Sequence, residues 1–442
     1  MVAALLLLLT TPASAAELTW DGYYRGRALL YDSLSLLPAT DESSEGFSGA
    51  FDHRMSLRPS FLLSEHASLH AQVELFPYQL WGEETATYVD PVTGEEIATA
   101  AADGTNPVGA GLVATRAWAE AYTPIGRFAL GRMPMQWGAG LLWNDGNDPE
   151  DEYGDTADRL QFSTRVGPVF VMAAYDVQFE GYLGAEDDMQ SASLGLGYRT
   201  ETAGVGLLNI YRYQPSETYQ AYTGDVWAFT ELGPVRAELE AVGVFGAGNL
   251  STGANDVDIM AFGGMLDLAY STDKLTVGLQ GGFATGDKDT DDEKIHTFSF
   301  DRDHNVTVVL FEEPLPTLAP TLANESNQGR TTDAAITGDG LSNVLYLRPS
   351  VKYHLLPELE GELSWFTGML AAGPESTDGR KGYGNEFDLS LRYDPHPHVW
   401  VKGSAGLLLP GKYFTEYEAP DNLGSGFDKV SWGARVIGTV EF

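Results

Sequence analysis

The chain of 442 residues contains no cysteine. That excludes a disulfide scaffold, a thiolate metal site and a cysteine nucleophile. Cations are also scarce. Lys and Arg number 26 against 63 Asp and Glu, a net charge of −37, so the chain lacks the basic footprint of a nucleic-acid binder. Long hydrophobic runs are nearly missing. The one uninterrupted apolar run lies at the extreme N-terminus, whereas a polytopic helical membrane protein needs several runs of ~20 residues. Disorder is excluded in turn by an apolar content of 43%. Nothing in the sequence calls for a cofactor.

The apolar run Ala3 to Leu9 is followed by Thr10-Thr11-Pro12 and Ala13-Ser14-Ala15. It is too short to span a bilayer, and Ala-x-Ala is a signal-peptidase site. Residues 1–15 are therefore expected to be a cleaved signal peptide. The mature chain, 16–442, then leaves the cytoplasm as a single domain.

Beyond residue 16 the periodicity is two, not 3.6. His53, Met55, Leu57, Pro59, Phe61 and Leu63 alternate with Asp52, Arg54, Ser56, Arg58, Ser60 and Leu62. Phe387, Leu389, Leu391 and Tyr393 interleave with Glu386, Asp388, Ser390 and Arg392. The pattern predicts eighteen strands, the fifth over 126–138. Short gaps, such as Pro124-Ile125 and Gly167-Pro168, alternate with mostly longer ones, notably 78–112, 139–157 and 287–342. A soluble sandwich has no reason to sort its loops in this way. The sorting predicts an all-β, up-and-down antiparallel transmembrane barrel of the outer membrane, with tight turns on one rim and long external loops on the other. Lipid offers no hydrogen bonds, so the sheet must close, with a greasy outside and a polar inside. Trp20, Tyr24, Phe61, Trp137, Phe179, Tyr198, Tyr353 and Tyr393 are expected to form outward girdles. Phe442 has the place of the C-terminal aromatic that such barrels show to their assembly machinery.

Acidic residues crowd the long gaps, which reads as a solvated external surface. Divalent cations bridging to anionic lipopolysaccharide are a second reading. Asp287, Asp289 and Asp291, with Asp292 and Glu293, are oxygen-rich but lack the spacing of a calcium loop. No metal site is assigned, and these are its weak candidates. Most arginines instead fall within strands. Arg25, Arg27, Arg54, Arg58, Arg116, Arg132, Arg159, Arg165, Arg348, Arg392 and Arg435 are expected to line the lumen. Closure sets the last strands beside the first and makes a basic arc that biases a pore toward anions. The competing expectation is neutralisation by Glu74, Glu120, Glu240, Glu386 and Asp388 on the same face, since buried charges are normally paired.

The most distinctive stretch reads Gly131-Arg132-Met133-Pro134-Met135-Gln136-Trp137-Gly138, then Asn144-Asp145-Gly146-Asn147-Asp148, then Gly154-Asp155-Thr156-Ala157-Asp158-Arg159. With Phe300-Asp301-Arg302-Asp303-His304-Asn305 and Val309-Leu310-Phe311, it resembles the alginate-export family of eighteen-stranded porins. The resemblance implies an arginine-rich lumen passing an anionic polysaccharide. Arg132 and Arg159 match the pattern best, with Asp155 and Asp158 as partners. The acidic loop 145–158 departs from it and would repel a polyuronate.

The sequence thus predicts an outer-membrane channel, a porin or export pore for small solutes or an anionic polymer, performing no chemistry. Its other neighbours are membrane lipid and lipopolysaccharide. The first alternative is a closed or plugged barrel acting in adhesion, motility or envelope assembly, which loops 78–112 and 287–342 permit. The second is an outer-membrane hydrolase. Of the histidines, His70 faces inward, and the sequence shows it no Ser or Asp partner.

Overall fold

The computed structural model describes residues 17–32, 47–80, 87–89, 96–98, 112–179, 189–214, 218–249, 256–288, 292–311, 340–372, 381–416 and 429–442. The expected signal peptide lies outside these residues, as do Asp289 and Asp291.

Alternating stretches become long antiparallel strands. They are β1 (Glu17–Asp32), β2 (Phe47–Ser64), β3 (Ala67–Leu80), β4 (Leu112–Thr123), β5 (Gly126–Pro134), β6 (Thr156–Val166), β7 (Val169–Phe179), β8 (Met189–Arg199) and β9 (Ala203–Gln214). The series continues with β10 (Tyr219–Leu232), β11 (Val235–Asn249), β12 (Asp256–Ser271), β13 (Leu275–Ala284), β14 (Val344–Leu356), β15 (Leu359–Met369), β16 (Gly382–His396), β17 (Val399–Pro410) and β18 (Ser431–Glu441). Each pairs with its neighbour in sequence, and β1 pairs antiparallel with β18, Tyr23 opposite Glu441 and Asp32 opposite Trp432. The ring is closed, so no wall strand is left with an unpaired edge. Lys294–Ile295 adds a two-residue parallel pairing beside Asp258–Ile259, and Thr87–Val89 pairs with Glu96–Ala98 apart from the ring. The expected barrel of eighteen strands is observed, with segment 305–311 outside the ladder.

The tight turns carry the residues they need. Gly167 and Gly233 have φ of +59° and +61°, the left-handed region that glycine enters freely. Each precedes a proline that cannot continue a ladder.

The two faces of the wall separate cleanly. Outward positions expose Leu194, Leu196, Leu207, Val226, Leu266 and Leu389 as an apolar band. Trp20, Phe61, Tyr198, Tyr353, Tyr393 and Phe442 are exposed near the short-turn rim. A second girdle of Tyr175, Tyr211, Tyr222, Phe245 and Phe283 lies toward the long-loop rim. Trp137 does not belong to either girdle. β5 stops at Pro134 rather than residue 138, and the chain then turns into the lumen, where Trp137 is buried against Leu208 and Ile210. Its indole lies against Gly195 and Gly206, where an added Cβ would come within 2.9 Å of the ring. The side chain of Phe179 is outside the described residues.

Candidate functional site

Two connections fold inward instead of remaining outside. Residues 135–155, from the gap expected to be an external loop, and residues 298–311 pack inside the ring. Polar backbone inside a barrel must find partners, and the wall supplies both kinds. Arginines donate to the first segment's carbonyls. Arg25 reaches the carbonyls of Pro149 (3.1 Å) and Asp151 (3.2 Å), Arg54 that of Asp151 (3.2 Å), Arg58 that of Asn147 (3.0 Å), and Arg116 that of Asp145 (2.6 Å). Carboxylates accept from backbone N–H groups. Glu240 takes Ala139 (2.5 Å), and Glu386 takes Val308, Val309 and Leu310 at 2.9, 2.6 and 2.8 Å. The two segments also hold each other, because Asp303 accepts from the N–H groups of Glu152 (2.8 Å) and Tyr153 (3.0 Å).

Most inward cations are also paired with acids. Arg54 grips Glu74 through Nε and a terminal nitrogen at 2.5 and 2.7 Å, and Arg159 grips Asp176 at 2.6 and 2.9 Å. Such two-pronged contacts fix both groups. Arg27 bonds Asp52 at 2.8 Å and also meets Glu152 of the inward segment. Arg58 pairs with Asp21, and Arg348 with Glu362 at 2.9 Å. Across the closing seam, on β17 and β16, Lys402 and Arg392 approach Glu150 at 2.5 and 3.7 Å. Arg435 also faces inward, on the parity of buried Gly433 and Ile437. Arg165 lies inward at the short-turn rim, bonded to the Gly167 carbonyl at 3.0 Å. Of the acids expected to neutralise the basic arc, Glu74 and Glu120 pair with arginines, whereas Glu240 and Glu386 accept backbone N–H groups and Asp388 bonds Ser364. Arg25 and Arg116, like Arg165 at the rim, place most of their bonded donors on neutral carbonyl oxygens.

Arg132 and Asp158 are corrections. They pair across β5 and β6 at 3.5 Å on the outer face, each with 57% of its side chain exposed. Strand parity requires this, since Arg132 follows Phe128 and Leu130, both outward. Asp155 lies in the inward segment, accepting the Asn144 N–H at 3.1 Å and contacting Asp301.

The inward segments concentrate carboxyl groups that burial keeps protonated to unusual pH. Burial raises Asp151 to about 7, with Asp303 and Asp148 adding to it. It raises Asp155 and Asp303 to about 6. Asp301 is raised to about 8 by burial and then by Asp155. Two carboxyl groups in hydrogen-bond contact need a proton between them, and Asp155 and Asp301 share one. Buried His304 falls to about 4 and stays neutral.

Asp287 accepts the His296 N–H at 3.1 Å, and among the described residues no group of three metal-binding side chains could hold an ion. The sequence missed the partners of His70. Ser60 and Ser68 bond its two ring nitrogens at 2.9 and 2.8 Å, and Trp118 stacks on it at 4.8 Å. The shared inward parity of Ser60, Ser68 and His70 was the available signal. Glu120 approaches the nitrogen that Ser68 already uses, at 3.9 Å. No carboxylate among the described residues orients the imidazole from the opposite side, as a nucleophile–base–orienter set requires.

No protein-family model matches the chain, and no curated protein sequence matches it. Solved structures do. OccK9 (OpdG) of Pseudomonas aeruginosa aligns over 96% of this chain and 99% of its own at 11% identity, with a TM-score of 0.56. OpdK of the same organism, solved with vanillate, aligns over 96% and 98% at 11% identity, TM-score 0.54. OccK2 (OpdF), solved in complex with glucuronate, aligns over 96% and 97% at 10% identity, TM-score 0.50. The shared property is the barrel fold. These structures lend no support to the alginate-export resemblance; of its two best-matching residues, Arg159 faces the lumen and Arg132 points away from it.

Proposed function

We propose that the protein is an outer-membrane channel for small solutes, exported from the cytoplasm and embedded among lipid and lipopolysaccharide, with no chemistry of its own. The observation that carries this reading is a closed ring with an apolar, doubly girdled outside and a charged inside crossed by 135–155 and 298–311. A channel selects by radius and wall charge, and these segments reduce both the opening and the free charge. Vanillate and glucuronate, named for barrels of the same fold, are of a size that supports passage of small molecules. Polymer export gains nothing from those comparisons, and segments bonded across the lumen oppose a threaded chain.

Planar-bilayer conductance of the purified barrel, with the reversal potential in a salt gradient, tests the reading. Discrete conductance steps are expected. Their absence in correctly folded protein would favour a plugged barrel serving adhesion or assembly. One observation supports that second reading. The long-loop half of the lumen is filled by an apolar cluster that includes Leu141, Phe300, Val309, Leu310, Tyr346 and Phe366.

A further inference from the structure

The short-turn half of the lumen contains a cavity of about 680 Å³ between the wall from β4 to β10 and the chain at 136–138. Ligand cavities commonly fall between ~300 and ~1,000 Å³. The charged side chains lining it are Arg127, Arg165 and Arg199, and none of its lining residues is acidic. Elsewhere in the lumen, Arg25, Arg27, Arg54, Arg58, Arg116, Arg159, Arg348, Arg392 and Lys402 meet acids or the inward chain. Here only Arg127 does, bonding Glu120 at 2.9 Å. Arg165 uses Nε on the Gly167 carbonyl (3.0 Å) and one terminal nitrogen on the Arg199 carbonyl (3.1 Å). Its other terminal nitrogen has no partner among the described residues. The Arg199 guanidinium lies over the Trp227 and Phe229 rings at 5.6 and 5.5 Å. Among the described residues neither Arg165 nor Arg199 has a carboxylate within ion-pair distance. Exposed Glu201 borders an adjoining hollow at the rim.

The cavity's other walls are aromatic. Trp137 and Phe170 meet edge to face at 6.0 Å, and Trp227 lies beside them. Trp137 is fixed by its Nε1–H bond to Asp225 at 3.0 Å and by the two wall glycines beneath it. Adjacent guanidiniums with unused donors match the oxygens of an oxyanion, and fixed aromatic faces match a flat apolar body.

We propose that this cavity is a binding station for a small aryl anion, with the acid group on Arg165 and Arg199 and the ring between Trp137, Phe170 and Trp227. The proposal rests on the channel reading only for why such a solute arrives there. Binding itself is measured without conduction.

The test is calorimetric titration of the full chain in detergent with benzoate, with acetate and benzyl alcohol as its two halves. Benzoate is expected to bind at least about tenfold more tightly than either half. The double variant Arg165→Gln, Arg199→Gln should weaken benzoate at least about tenfold and leave benzyl alcohol unchanged. Equal benzoate affinity in wild type and variant, or benzoate no tighter than acetate, overturns the station. Displacement of benzoate by glycerol 1-phosphate at lower concentration than benzoate itself overturns the aryl class in favour of a lipid headgroup. Should the double variant fail to fold, Arg199→Lys keeps the charge and loses the fork. A severalfold loss is expected there, and unchanged affinity rejects the proposal. Benzoate binding without bilayer conductance would remove the channel reading and leave the station. Conductance without benzoate binding would do the reverse.

Discussion

The two ends of the lumen are built from the same alternating strands, yet they have become different solvents. Toward the long loops, inward residues such as Tyr346, Phe366 and Leu408 meet Phe300, Val309 and Leu310 of the second inward segment, and the space is dry. Toward the short turns, the wall offers Gln161, Ser163 and arginines to a hollow. Between them, the row from Arg25 to Arg116 holds the first segment by its carbonyls. The difference teaches that the barrel sets the width, while the inward chain decides where water goes. A wall carboxylate under the dry end is an anchor for backbone N–H groups. At the wet end, Arg165 and Arg199 have no carboxylate partner among the described residues.

The largest effect is expected at the dry end. Glu386 is fully buried and is the acceptor for three consecutive N–H groups. Glu386→Ala orphans all three, and each buried unsatisfied group costs about 1–3 kcal/mol. A loss of roughly 3–5 kcal/mol is expected, reduced where the freed segment leaves for water. Denaturant unfolding measures the loss. Single-channel conductance should rise as 298–311 comes away, and an unchanged conductance would separate that segment from the restriction.

In the middle of the lumen the corresponding lesion is Arg54→Ala. It leaves Glu74, almost wholly buried, without its cation. Breaking a buried pair from one side costs about 3–5 kcal/mol. Because Arg54 also holds the carbonyls of Asp151 and Glu152, hydrogen exchange in 147–153 should accelerate. The double variant Arg54→Met, Glu74→Met should recover most of the stability and none of that protection.

Deprotonation offers a milder way to part the two inward segments. Asp151, Asp155, Asp301 and Asp303 all lie above the ordinary 3.8, at about 7, 6, 8 and 6. Their packed state binds protons more tightly than the unfolded chain does. The stabilisation is complete below about 3.8 and is lost as pH rises through about 6 to 8. Exchange of 143–155 and 298–311, corrected for intrinsic rate, is therefore expected to increase between pH 5 and pH 9. Asp301→Asn should reduce that step, since it removes the highest of the four. A pH-independent profile in wild type would show that these carboxyls do not hold the segments together.

Much of this architecture was legible from alternation and gap length. The eighteen strands and the parity of Arg25, Arg27, Arg54, Arg58, Arg116 and Arg159 follow from counting by twos. The inward segments were not legible, because a loop's destination depends on partners far away in sequence. Glu240 and Ala139 are one such pair, Glu386 and Val309 another, and Gly195 and Gly206 make room for Trp137. The cavity at Arg127, Arg165 and Arg199 depends on that same turn of the chain after Pro134. Arg132 is a different kind of miss. Its outward parity was readable from Phe128 and Leu130 on the same strand.

That residue supplies the smallest expected effect and the sharpest check on which face is which. Arg132 and Asp158 are both more than half exposed outside the wall near the long-loop rim. An exposed ion pair there adds little to stability. The barrel wall also stands between Arg132 and the lumen. Arg132→Glu places two acids opposite each other on the outer face, so a slight loss of stability is expected from their repulsion. The reversal potential in a salt gradient should match wild type, whereas Arg116→Gln, on the inner face, should shift it toward cations. A shift of similar size from Arg132→Glu would mean that β5 presents its other face to the passage. The inward assignments of Ala129 and Met133 would then have to be exchanged with those of Phe128 and Leu130.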